Sequence, residues 1–388
     1  MANSDLGAAK KAKADAFYTS WADIEREMNA YLEYDPDVFR GKTILLPCDD
    51  PEWSNFTKYF ALHFSEFGIK KLISTSYAHD DNAPTGYVST LFDLNDETPA
   101  DIEKRGKLFT LEPEDVNGYG KIDIDDLKWR YLEGDGDFRS AEVTALRNEA
   151  DMVITNGPFS LFREFMAWLI DGDVQFSIIG NLAAVTYLEV FPLIRDDKLW
   201  LGPSISSGDR EFRVPDSYPL AAAGFRVDDD GTKYVRVKGV RWFTNIEHGR
   251  RHEPMRLMTM QDNLRFSKDK KLQRDGYQRY VNFDAVDVPS TLCIPADFDG
   301  VIGVPVSFLD KYSPEQFQII GNADDMTGMR ELGASTLGRE FIDAYRARGG
   351  TGHYSPGMRM LGLMSPEPRV VFKRILIRHR NPAPSKES

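Results

Sequence analysis

The stretch Asp151-Met152-Val153-Ile154-Thr155-Asn156-Gly157-Pro158-Phe159 sets an amide, a proline-fixed backbone and an aromatic ring at the end of a short apolar run. An acid before Met152 and Asn-Gly-Pro after Thr155 mark that run as a buried strand closed by a sharp turn. In open α/β sheets ligands bind beyond the carboxyl ends of the strands, so the turn is read as the mouth of a site. Asp49-Asp50-Pro51 offers two carboxylates, which serve either a cationic ligand or the first turn of the next helix. Gly134-Asp135-Gly136-Asp137-Phe138 reads either as a turn that starts a helix or as a loop that sets a carboxylate on a cofactor's adenine amine and a ring on its face. A calcium loop is ruled out, because Leu146 stands where a bidentate Glu is needed. Near the N-terminus, Phe17-Tyr18-Thr19 reads as an aromatic staple and cap for a helix over Trp21 to Leu32. His248 and His252 have helical ligand spacing, but Gly249 lies between them without a nearby acid or cysteine motif, so no metal is expected.

Positioning these groups requires a sheet. Lys42 to Cys48 reads as a buried strand, Ser54 or Asn55 to Gly68 as a helix with Phe56, Tyr59, Phe60, Phe64 and Phe67 at helical spacing, and Lys70 to Tyr77 as the next strand. Such a βαβ unit makes its two strands parallel. No glycine-rich phosphate loop lies between strand and helix, which argues against a dinucleotide. A helix over Ser140 to Ala150, the strand at Met152, a helix from Phe159 or Ser160 to Ile170, a strand over Gln175 to Asn181, a helix over Leu182 to Val190 and a strand beginning at Lys198 to Leu201 continue the alternation. The pattern predicts an α/β fold with a doubly wound, mostly parallel sheet. His79 to Lys128 reads as a long surface excursion. Beyond residue 203, prolines and short strand candidates (Tyr234 to Val237, Gly239 to Ile246, Val301 to Val306) predict loops and strands added to the core, and Val370 to Arg380 reads as a strand with basic punctuation. The expected division is a flexible basic arm (1–16), a core (17–203, with an excursion about 80–127) and a C-terminal region (204–388).

The chain has 388 residues, 41% of them hydrophobic, enough for a sizeable core. Two cysteines, Cys48 and Cys293, cannot build a disulfide framework, and neither Met1 to Phe17 nor any other run has the apolar length of a signal or membrane segment. These features favour a cytoplasmic protein. A net charge of -13 argues mildly against a polyanionic partner. Base nevertheless recurs from Lys233 onward, through Arg241, Arg250, Arg251, Arg256, Arg265, Lys268, Lys270, Lys271 and Arg274. That run is either a basic surface on an acidic protein or an ordinary solvated face of mixed charge.

Seven stretches line up in order with a known pattern: residues 11–19, ending in Phe-Tyr-Thr; 48–60, Cys-Asp-Asp-Pro-Glu-Trp-Ser-Asn-Phe-Thr-Lys-Tyr-Phe; 134–140, Gly-Asp-Gly-Asp-Phe-Arg-Ser; 154–164, Ile-Thr-Asn-Gly-Pro-Phe-Ser-Leu-Phe-Arg-Glu; Arg-Trp-Phe-Thr-Asn at 241–245; Gly-Val-Pro-Val-Ser-Phe-Leu at 303–309; and Pro-Glu-Gln-Phe at 314–317. Together they resemble the EcoRI-type adenine-specific DNA methyltransferase family over nearly the whole chain. The resemblance implies a Rossmann-like methyltransferase sheet, a C-terminal target-recognition region of loops and short strands, and transfer of a methyl group from S-adenosylmethionine to N6 of an adenine flipped out of double-stranded DNA. It implies that the Asn156 side-chain oxygen and the carbonyl of Gly157 accept hydrogen bonds from the target amine, that Pro158 holds the turn and that Phe159 stacks on the base. Cofactor contacts carried over are Phe17, Tyr18, Asp49, Asp137 and Phe138, with Asp50 beside Asp49 as a second acid for the cationic cofactor. Arg241, Arg250 and Arg251 are the DNA contacts expected, and a cognate restriction endonuclease is the expected companion. The family signature is Asn-Pro-Pro-aromatic, and Gly157 replaces its first proline. The carbonyl survives that change while the φ-fixing ring is lost, so the expectation is an active, less rigid turn in which Gly157→Pro keeps or raises activity. The same chemistry serves RNA adenine and protein amines, and a non-catalytic DNA-binding member of the family is a further alternative.

Overall fold

The computed structural model describes residues 19–78, 105–116, 129–206, 209–214, 225–352 and 359–384. The chain forms two compact units, the first from Met1–Leu182 with Leu201–His248 and the second from Ala183–Trp200 with Gly249–Ser388.

Four parallel strands carry the first unit: β1 (Thr43–Leu46), β2 (Lys71–Ser76), β5 (Met152–Thr155) and β6 (Gln175–Asn181), in the order β2-β1-β5-β6. Every residue of β1 and β5 is buried, the pattern of strands covered on both faces, which is why they read as unbroken apolar runs. Beside β2 lie two antiparallel strands, β3 (Lys107–Leu111) and then β4 (Trp129–Tyr131). Past β6 come β11 (Val240–Thr244), antiparallel to it, and the two-residue strand β7 (Trp200–Leu201). This is a mixed α/β fold on a large sheet whose centre is parallel. β8 (Asp209–Val214), β10 (Lys233–Lys238) and β9 (Phe225–Val227) form a separate antiparallel sheet.

Helix α1 (Trp21–Tyr34) starts where Ser20 accepts a hydrogen bond from Asp23 N, and α2 (Asn55–Leu62) where Ser54 accepts from Phe56 N. A short helix α3 (Phe64–Phe67) then ends at Gly68, whose φ of +65° is the left-handed conformation glycine tolerates. α4 (Ala141–Glu149), capped by Ser140, and α5 (Phe162–Asp171) flank β5 in sequence.

Three sequence expectations need correction. Lys107–Leu111 is a buried strand of the main sheet, not part of a surface excursion, because its apolar residues Leu108, Phe109 and Leu111 pack inward. The rest of the expected excursion lies outside the described residues except 105–106 and 112–116. Instead of one helix over Leu182 to Val190 there is a tight turn at Leu182–Thr186 and a helix α6 (Phe191–Arg195), with Pro192 in its first turn, where its missing N–H costs nothing. Val370 to Arg380 is two strands, β17 (Arg369–Val371) and β18 (Arg374–His379), separated at Lys373, whose φ is +53°.

The second unit has its own core. β12 (Gln278–Arg279), β13 (Ala285–Asp287), β14 (Val301–Pro305), β18 and β15 (Phe317–Asn322) form its sheet in the order β12-β13-β14-β18-β15. Inside it, Asp287 accepts hydrogen bonds from Tyr280 Oη at 2.6 Å and Arg374 Nε at 2.8 Å.

A candidate active site at the carboxyl edge of the parallel strands

Because β1 and β5 are parallel neighbours with Leu45 beside Val153, the residues that follow them leave the sheet at the same edge. Asp49-Asp50 follows one strand and Asn156-Gly157 the other. Side chains tie the two together: Thr155 Oγ1 donates to Asp49 Oδ2 at 2.5 Å, and Ser54 Oγ donates to Asp49 Oδ1 at 2.7 Å. Asp49 N also donates to Thr75 O, which joins the end of β2 to the same edge. Asp49 is buried, and that burial pushes its carboxyl pKa up to about 7 although both hydroxyls pull the other way. Among the described residues its partners are hydroxyls, with no ion pair.

Asp50 has a different environment. Lys107 Nζ lies 3.1 Å from its Oδ2, also contacts Glu52, and sits 4.8 Å over the Trp129 ring. Burial opposes the lysine's charge, but Asp50 and Glu52 hold its pKa above the usual range.

The Gly134–Phe138 loop lies backbone-to-backbone on the end of β2. Ala78 N donates to Asp135 O at 2.8 Å and Gly106 N to Gly134 O at 2.9 Å. A Cβ on Gly106 or on Gly136, whose φ is +77°, would overlap Ser76 O, so the approach requires glycine at both positions. Asp137 receives Arg139 Nε and Nη2 at 2.9 and 2.7 Å; burial opposes its ionisation, and the arginine contacts outweigh it, lowering the pKa. Phe138 is buried with its ring 4.9 Å edge-on to Phe165 and 5.7 Å from Trp168. Phe17 and Tyr18 lie outside the described residues. The next residue, Thr19, is anchored to the start of α2 by Asn55 Nδ2, which donates to its carbonyl at 2.7 Å.

In the turn itself Asn156 is half-buried and Gly157 buried. Pro158 has φ -68°, its carbonyl accepts from Leu161 N at 3.1 Å, and Phe159 meets Phe212 edge-on at 6.4 Å. An ideal Cβ on Gly157 would lie 2.8 Å from both Cδ1 and Cε1 of Phe165. That contact weighs against the expectation for Gly157→Pro, since a side chain there requires the buried Phe165 ring to shift.

Arg241 is buried on β11, donating from Nη1 to Val240 O and from Nη2 to Ser206 O. Arg251 is buried over the Trp200 ring at 3.7 Å and pairs with Asp197 at 2.5 Å, whereas Arg250 is partly exposed. His248 Nε2 lies 3.1 Å from Leu201 O, and His252 Nδ1 lies 2.7 Å from Glu315. Sequence reasoning missed Thr155, Lys107 and Phe165. Thr155 could have been noticed as the hydroxyl at the end of an apolar run, whereas helical spacing marks Phe165 merely as core.

Residues 5–380 match the family described as "Adenine-specific methyltransferase EcoRI". The chain belongs to that family. It is 39% identical to the Type II methyltransferase M.EcoRI of Escherichia coli over 318 residues, 82% of this chain and 89% of the relative. It is 31% identical to the Type II methyltransferase M.MpnI of Mycoplasma pneumoniae, covering 80% of this chain and 83% of the relative, and 31% identical to M.MgeORF184P of Mycoplasma genitalium, covering 80% and 84%. No solved structure matches. As a member of the family the chain is an adenine-specific DNA methyltransferase. Among the described residues no helix is long and apolar enough to cross a membrane.

Proposed function

We propose that this chain transfers a methyl group from S-adenosylmethionine to N6 of an adenine turned out of a specific double-stranded DNA site, with a doubly wound Rossmann-like sheet as the catalytic core. The observation that carries the reading is the Thr155–Asp49 hydrogen bond. It ties the strand end before Asn156 to a buried acid on one sheet edge, which supports reading the turn as the amine holder and Asp49 as the group that attracts a cation.

The donor set suits that cofactor. Asp50 and Asp137 are each matched by a basic side chain, while Asp49 is buried with hydroxyl partners and a raised pKa, so a nearby positive charge would favour its ionised form. S-adenosylmethionine supplies the electrophilic methyl group and brings an ammonium and a sulfonium. Asp49 answers that charge, with Asp137 and Phe138 near the adenine end; Phe17, Tyr18 and Asp50 complete the assignment. The Asn156 side-chain oxygen and the Gly157 carbonyl accept the N–H groups of the target amine, which favours the pyramidal nitrogen as positive charge develops. Pro158 keeps the carbonyl aimed, and Phe159 stacks on the base.

Target recognition falls to the region after residue 203. Arg250 joins Arg256, Arg265, Lys268, Lys270 and Lys271, all partly or fully exposed, as the phosphate-facing set. Arg251, buried over the Trp200 ring and paired with Asp197, acts by holding the segment that carries Arg250, while Arg241 is committed to the carbonyls of Val240 and Ser206. A cytoplasmic location and a cognate restriction endonuclease complete the reading. In the test, labelled methyl groups are offered with duplex DNA, RNA and protein substrates. Asn156→Ala is expected to abolish transfer to duplex DNA; full transfer by that variant, or preference for RNA or protein, overturns the assignment.

A further inference from the structure

Gly157 stands where the signature has proline, and a neighbouring ring occupies the volume a side chain would use. Phe165 is 1% exposed and presents Cδ1 and Cε1 at 2.8 Å, and Cζ at 3.5 Å, from the ideal Cβ position of residue 157. The ring has no room to retreat. It stacks on Trp168 at 5.5 Å with planes 19° apart and takes the edge of Phe138 at 4.9 Å and 87°. Trp168 is pinned in turn by its Nε1–H, which donates to Thr144 Oγ1 at 3.1 Å, and by the Arg147 guanidinium 5.0 Å over its ring.

We infer that Phe165 is a positioning residue for methyl transfer: its ring presses on the backbone of Gly157 and supplies through space the restraint that a proline ring would supply covalently. Gly157 and Phe165 are then one exchangeable pair, since either a side chain at 157 or a large ring at 165 fits, and the two together do not. The same ring joins the Gly-Asp-Phe loop to the turn, because Phe165 takes the ring of Phe138 on one side and fills the space a Cβ on Gly157 would occupy on the other. The inference rests on the proposed role of the Gly157 carbonyl, and the two fail differently. Full activity of Asn156→Ala removes that role, whereas the Phe165 claim is decided by coupling between two positions.

The test is a cycle of Gly157→Ala, Phe165→Leu and the double variant, with kcat and KM for duplex DNA and melting temperature measured for each. Gly157→Ala is expected to lower kcat about a hundredfold and Phe165→Leu about tenfold, both with KM little changed, because displacing a group by about an ångström acts on the transition state. The double variant should recover at least about tenfold over Gly157→Ala, since the smaller side chain admits the methyl group. Losses that multiply, or a Phe165→Leu protein with a lowered melting temperature and undiminished kcat, overturn the inference. If Phe165→Leu is unfolded at the assay temperature, Phe165→Met runs the same cycle under the same criteria.

Discussion

Asp49 and Asp287 are both carboxylates taken out of water, 5% and 6% exposed, yet their surroundings differ in kind. Asp287, in the second unit, has a phenol and a guanidinium aimed at the same oxygen, so its charge is matched by Arg374. Asp49, at the sheet edge of the first unit, is held by Ser54 and Thr155, which donate hydrogen bonds but bring no charge. A buried acid with its counter-ion in place is architecture, because removing either partner strands the other. A buried acid held by neutral donors is poised, because it titrates near neutral pH and a charge arriving from outside shifts its ionisation.

The largest expected effect breaks the matched pair. Asp287→Ala leaves the Arg374 guanidinium buried without its carboxylate and should destabilise the second unit by about 3–5 kcal/mol in denaturant unfolding; a loss below about 1 kcal/mol would mean that Arg374 relaxes to solvent and the contrast is false. The next compares Asp49→Asn with the parent across pH. The carboxyl's folded pKa of about 7 lies above the unfolded value of about 3.9, so the folded state holds the extra proton between them. Its stability contribution is therefore fully present below about pH 4 and is lost as pH rises through about 7. Asparagine does not titrate, so the variant should gain roughly 2–3 kcal/mol on the parent between pH 5 and pH 8, read from unfolding at each pH. A pH-independent difference would place Asp49 with Asp287. The smallest effect concerns the cofactor. If its positive charge is answered by ionised Asp49, calorimetric affinity for S-adenosylmethionine should tighten by about five- to tenfold from pH 6 to pH 8 and stay flat in Asp49→Asn. An equal slope in both proteins would separate Asp49 from the cofactor.

Much of the first unit was legible in the chain. Runs such as Thr43–Leu46 and Met152–Thr155 are apolar without interruption because both faces of the strand are covered, and Ser20, Ser54 and Ser140 announce their helices by capping them. β3 was not legible, since it follows an acid-rich stretch and owes its place to pairing with β2. The strand at Gly239 to Ile246 was legible and is β11, but its place next to β6 in the large sheet was not, because about 60 residues separate the two and no local pattern encodes the pairing. The buried states of Arg241 and Arg251 escaped for a related reason. A basic residue in a basic run looks solvated until a carbonyl or an indole from elsewhere in the chain is set beside it.

By itself the sequence determined which residues could do chemistry and which strand ends would carry them, because residue type, turn chemistry and apolar run length are local properties. Tertiary structure alone decided how those residues are used. It gave Asp50 a lysine and left Asp49 with hydroxyls, and it put the Phe165 ring where a side chain at Gly157 would stand. Charge compensation and excluded volume depend on which distant atoms come within a few ångströms, and that distance is set by the fold.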